Sequence, residues 1–258
     1  MNCCRFALVA ALALGTLPAS AQTATPAAPA SPWTFTGNAG LFSDYRFRGI
    51  SQTNEKPAFQ GGFDLSHSSG FYVGNWNSNV DSPLYNGANL EMDLYGGYKL
   101  AVGDFGLDFG ALYYYYPGSG AGGTTKIDNT ELYLGGTWGP LSAKYSYAVS
   151  DFFGWPDSKG SSYLDLGFAY DVGSGFGLVA HIGYQRLKGG AITNTPQMDG
   201  STPNSIVDYK VGGTYTLEGW ALGVALIGTN RDYSFGTAAS KNKNISGNTL
   251  VVSVSKSF

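Results

Sequence analysis

Residues 247–258 read GNTLVVSVSKSF. Leu250, Val252, Val254 and Phe258 share one parity; Thr249, Ser253, Ser255 and Ser257 share the other. A period of two is the signature of a strand with one face in apolar surroundings and the other in water. The chain stops on an aromatic of the apolar parity, so the strand is greasy up to its last residue.

The same alternation runs back to Trp33. WTFTGNAGLFSDYRFRG (33–49) sets Trp33, Phe35, Ala39, Leu41, Tyr45 and Phe47 against Thr34, Thr36, Asn38, Asp44, Arg46 and Arg48. Residues 58–66 set Phe59, Phe63 and Leu65 against Gln60, Asp64 and Ser66. In FYVGNWNSNV (71–80) the pattern predicts Tyr72, Trp76 and Val80 on the apolar side, opposite Asn75, Asn77 and Asn79. NLEMDLYGGYKL (89–100) alternates most cleanly, with Leu90, Met92, Leu94 and Tyr98 opposite Glu91, Asp93, Tyr95 and Lys99. Continuing to the end gives about twelve strands of the length a tilted strand needs to cross a bilayer, roughly 9–11 residues.

The connections sort into two kinds that alternate. SSG, AVGD, GP, GSG and EG are very short, whereas 49–57, 81–88, 117–129, 151–161, 188–205 and 232–246 are long and polar. Outer-membrane barrels have short periplasmic turns and long extracellular loops. Aromatics sort with them. Trp33, Phe35, Tyr72, Phe105, Trp138, Phe176, Trp220 and Phe258 lie near the short turns, and Tyr45, Phe47, Tyr113, Tyr115, Tyr145 and Tyr147 near the long loops. Two such belts match the interfacial girdles of a barrel in a bilayer. Lys256 falls on the apolar parity one step from the end, where its stem can snorkel.

Composition agrees. Charged residues are 13% of the chain, against about 25% in a soluble domain. Glycine (38), tyrosine (18) and phenylalanine (15) are abundant. A formal net charge of −3 gives no basic footprint for nucleic acid. MNCCRFALVAALALGTLPASAQ carries one basic residue, a short apolar run and an A-x-A step, which predicts a signal peptide over 1–21 cleaved after Ala21. Cys3 and Cys4 lie within it, so the exported chain has no disulfide to rely on. Residues 22–32 (QTATPAAPASP) read as a flexible leader. The expectation is therefore all-β: a transmembrane antiparallel up-and-down β-barrel over 33–258 in the bacterial outer membrane, in contact with its lipid. In it the last strand must pair with the first to abolish both sheet edges. An outward aromatic at the end resembles the signal by which the barrel-assembly machinery recognises its clients, which makes that machinery a predicted partner through Phe258.

The segment GLFSDYRFRGISQTNEKPAFQGGFDLSHSSGFYVGNWNSNV (40–80) resembles the signature region of the TorF family, proteobacterial outer-membrane barrels of porin type. Ser43–Ser51, Lys56–Gly62 and Ser69–Gly74 carry the likeness. The resemblance implies a channel-like protein and brings neither an agreed substrate nor catalytic residues.

On this parity the lumen receives Asp44, Arg46, Arg48, Asp64, Glu91, Asp93, Lys99, Asp108, Glu131, Lys144, Asp165, Asp208 and Lys210, with acids in excess. These residues either form a mixed-charge constriction for small polar or charged solutes, or pair off and brace the interior of a plugged structural or surface-binding barrel. Asp44, Arg46 and Arg48, two apart, read as a selectivity element or as ion-pair partners of neighbouring strands. A third reading, an outer-membrane lipid hydrolase, rests on HSSG (67–70), a poor match to a histidine–serine motif. His181 reads as a wall residue. No motif for a cofactor, metal or nucleophile is present, and the chain does not read as an enzyme.

Overall fold

The computed structural model describes residues 31–193, 198, 200–235 and 243–258. The predicted signal peptide, and the leader apart from Ser31 and Pro32, lie outside these residues, as do parts of the loops at 188–205 and 232–246. Twelve antiparallel strands close into one barrel: β1 (Trp33–Phe42), β2 (Ala58–His67), β3 (Phe71–Asn79), β4 (Leu90–Val102), β5 (Phe105–Tyr115), β6 (Asn129–Trp138), β7 (Leu141–Ala148), β8 (Ser162–Gly173), β9 (Phe176–Arg186), β10 (Ser205–Leu217), β11 (Trp220–Thr229) and β12 (Thr249–Ser257). Each strand pairs with its sequence neighbours, and β12 returns to β1 with Leu41 opposite Val254 and Asn38 opposite Ser257. Gly37 and Phe258 then exchange both backbone hydrogen bonds, at 2.7 and 2.9 Å. The Phe258 ring lies over Gly37, where a Cβ would come within 2.6 Å of it. Closure thus satisfies backbone groups that hydrocarbon would leave stranded.

The outside of the wall is apolar. Phe35, Leu41, Phe59, Val73, Leu134, Leu178, Val211, Val224 and Leu250 all point away from the interior and are exposed. A soluble protein would bury such a band; a membrane-spanning barrel turns it to lipid. Trp33, Phe71, Phe105, Trp138, Phe176, Trp220 and Phe258 ring the short-turn end, and Tyr145 and Tyr147 face out near the other. Lys256 lies on the outer face with Nζ 5.1 Å from the centre of the Trp220 ring, which gives its charge an aromatic partner at that rim.

Two sequence expectations fail. Strand β3 alternates in the opposite sense: Phe71 and Val73 are exposed, whereas Tyr72, Ser78 and the adjoining Val80 are buried. Asn75 and Asn77 therefore lie on the outer parity with Phe63 and Gly61, their cross-strand partners. The three asparagines donate to backbone carbonyls: Asn75 to that of Asp93, Asn77 to that of Gly61 and Asn79 to that of Pro57, just before β2. The first strand, in turn, ends at Phe42. Tyr45 and Phe47 belong to no girdle; Tyr45 is 8% exposed, and Phe47 packs against Tyr114 and Phe153.

The apolar clusters sit within the long-loop end. Tyr45, Ala58, Val80, Ala88, Tyr114, Tyr116 and Ile127 form one. Ala148, Phe152, Leu187, Ala191, Ile206, Tyr233 and Ile245 form the other. Phe153 packs against both.

Candidate functional site

After Phe42 the chain leaves the wall and turns into the barrel. Arg46–Phe47 pairs with Ile50–Ser51, so Arg48 and Gly49 form a two-residue hairpin loop. Both have positive φ, 47° and 78°, as a type I′ turn requires. Glycine at the second position is also a steric need, because a Cβ there would strike Thr229 and the Gly228 carbonyl of β11 and Asp208 of β10. The turn therefore lies against β11 and β10, which stand two and three places from β1 round the ring.

Arg48, at its tip, reaches further strands. Its guanidinium holds Glu131 of β6 through both carboxylate oxygens, at 2.8 and 2.9 Å, and donates to Gln185 of β9. It also stacks over the rings of Tyr163, at 4.3 Å, and Phe47, at 4.7 Å. Burial is the largest single influence and disfavours its charge, but Glu131, Tyr114 and Tyr163 together offset it and lift its pKa above the ordinary guanidinium value. Arg46 points elsewhere. It binds Asp44 and Glu55 and donates to the carbonyls of Ile245 and Gly247, at 2.8 and 3.2 Å. Asp44 in turn accepts from the hydroxyls of Ser51 (2.6 Å) and Thr53 (3.0 Å). The three residues read as one strand face thus lie in an inserted hairpin and serve different contacts.

The remaining predicted lumen residues fall into three sets. Glu91, which accepts from Tyr45 at 3.2 Å, and Asp93 are buried beside the hairpin, only 1% and 9% exposed. Nearer the short-turn end, Asp64 accepts from Tyr95 at 2.7 Å and Asp108 from Tyr72 at 2.6 Å, with Tyr72 also bonded to Tyr133. Lys99 lies over the Tyr72 ring and Lys144 over the Tyr133 ring. On the opposite wall His181 bridges Asp165, at 3.0 Å, and Asp208, at 2.7 Å, while Tyr163 donates to Asp208 at 2.9 Å. Sequence reasoning placed His181, Asp165 and Asp208 in the lumen wall separately but not the contact among them. The two carboxylates lie on β8 and β10, on either side of β9, and nothing local in the sequence announces that pairing. It also missed Tyr72, Tyr114, Tyr163 and Gln185 as lumen groups.

Two cavities lie beside the hairpin among the described residues. One, of about 260 Å³, is bounded by Arg46, Arg48, Lys144, His181, Asp208 and Lys210. The other, of about 320 Å³, runs along β9 to β12 past Lys210, Thr214, Ala225 and Ser253. Lys210 faces both. His67, by contrast, is on the outer parity; its Nδ1 meets the Ser69 amide (3.2 Å) and hydroxyl (2.7 Å) within the turn, and its ring packs against Trp33. That is the geometry of a turn stabilised by its own side chains.

Among solved structures, the NanC porin is 11% identical with a TM-score of 0.53, over 86% of this chain and 99% of its own. A KdgM porin is 10% identical with a TM-score of 0.50, over 87% and 99%. The KdgM porin in complex with disordered oligogalacturonate is 11% identical with a TM-score of 0.51, over the same shares. At such identity the likeness concerns the barrel fold alone. No curated protein matches the sequence. A family model described as "Bacterial protein of unknown function" matches residues 26–258, and the chain accordingly belongs to the Gcw_chp family.

Proposed function

We propose that this protein is an outer-membrane porin-like channel of the TorF type, passing small polar or charged solutes by diffusion and catalysing no reaction. One observation carries the reading: the inserted hairpin does not fill the lumen, and two cavities lie beside it, both bordered by Arg46 of the hairpin and Lys210 of β10. An inserted loop that narrows a wet lumen is how a barrel of this size excludes large molecules while admitting small ones. The short-turn end would face the periplasm, and the predicted signal peptide would bring the chain there for export. The outward Phe258 strand would engage the assembly machinery, and outer-membrane lipid would cover the apolar band.

A second reading, a plugged structural or surface-binding barrel, is favoured by the apolar clusters that occupy the long-loop end. Planar bilayers decide between them. Refolded protein as a channel gives discrete conductance steps; a correctly folded barrel that passes no current supports the plugged form.

A further inference from the structure

The acid excess counted from the sequence is not what a solute in the lumen meets. The hairpin sorts the charges. Asp44, Glu91, Glu131 and Asp208 are each 5% exposed or less, and Asp93 9%. Arg46 and Arg48 are spent on partners, in ion pairs whose side chains are nearly all covered. What stays open toward the lumen is different. Lys99 and Lys144 are exposed and Lys210 is partly so, together with Asp64, Asp108 and Asp165.

These two groups are not equally satisfied. Each open carboxylate has a donor: Tyr95 on Asp64, Tyr72 on Asp108 and His181 on Asp165. None of the three lysines has a carboxylate within ion-pair distance among the described residues. Lys99 and Lys144 rest on tyrosine faces, which supply weak attraction and leave the ammonium donors free. Lys144 and Lys210 border the same cavity, whose two carboxylates, Asp165 and Asp208, are both held by His181, and whose two arginines are paired with Asp44 and Glu131. With its acids and arginines engaged, the charges of this cavity left without an ion-pair partner among the described residues are the ammonium groups of Lys144 and Lys210.

We propose that the lumen selects anions, with Lys144 and Lys210 as the groups that a carboxylate- or phosphate-bearing solute meets in passage. This rests on the channel reading. It also reverses the charge preference that the chain's net charge of −3 would suggest.

The test is the reversal potential of single channels in a planar bilayer under a KCl gradient. Wild-type protein should show the sign of chloride preference. Lys144→Gln and Lys210→Gln should each move the potential toward that of potassium, and Lys144→Glu with Lys210→Glu should reverse its sign. Folding of every variant is checked by its heat-dependent gel mobility; the single glutamine variants keep the test alive if the double variant fails to fold. A potential of cation sign in the wild type overturns the inference and leaves the channel standing, as does one unmoved by the glutamine substitutions. Absence of any current in folded wild-type protein removes the channel reading and this inference with it.

Discussion

Arg48 and Glu131 stand 83 residues apart in sequence and meet across the barrel, joined by two hydrogen bonds with both side chains almost fully covered. The pair ties the tip of the hairpin inserted after β1 to β6, on the opposite side of the ring. Arg48→Ala leaves Glu131 buried without its counter-charge, which costs about 3–5 kcal/mol for such pairs. The expected result is a lower urea midpoint in detergent together with larger, noisier single-channel currents. Adding Glu131→Gln to that variant should recover part of the stability, because the stranded charge is gone.

Gly49 supplies an independent handle on the same hairpin. Alanine there would have to hold φ near +78° and displace Thr229 or Asp208. A loss of at least about 1 kcal/mol is expected from the left-handed conformation alone. Gly49→Ala should therefore resemble Arg48→Ala in its currents, though it removes no charge. Equal currents in Gly49→Ala and wild type would show that the tip does not set the width of the passage.

The orientation of β3 can be read from a pair of neighbouring substitutions. Asn77 lies on the lipid-facing parity, so Asn77→Leu should leave the unfolding midpoint unchanged or raise it. Ser78 is 1% exposed on the inner side, so Ser78→Leu overpacks the interior at about 1–3 kcal/mol. The opposite ranking of the two midpoints would restore the parity expected from sequence.

Gly37 and Phe258 predict an assembly defect. Gly37→Val places a branched side chain where the Phe258 ring lies, and removing Phe258 deletes both closing hydrogen bonds. Each change should lower the fraction of protein that reaches the heat-modifiable folded form, with Phe258 removal the more severe. Full yield from the Gly37→Val chain would show that the ring's seat is dispensable.

Period-two alternation made most of this architecture legible. Eleven of the strands turn the faces that the pattern predicts, and the sorting of long and short connections survives intact. Both failures share a physical origin: alternation reports that one face is apolar, not what the apolar face touches. DYRFRG continues the period beyond Phe42, so a hairpin inside the lumen looks like more wall. Its Arg-Gly turn was the available signal, weaker than Asn-Gly because arginine gives little sign of positive φ. In β3 the bulky Tyr72 and Trp76 look lipid-bound and the asparagines look wet. Trp76 instead packs on Tyr45 of the hairpin, at 5.3 Å between rings, so its apolar partner is protein. Likewise, the predicted lumen charges were mostly placed inside, but which of them stay accessible depends on the hairpin that covers them.

Arg46 donates to the carbonyl of Ile245, a residue 199 positions later in the chain. The amide of Ser51 uses that same carbonyl, so two anchors of the hairpin arrive only with the stretch leading into β12. Until that stretch arrives, the insert is held across the interior by the ties of Arg48 to β6 and β9. Full seating of the insert and closure of the ring thus draw on the same last stretch of chain.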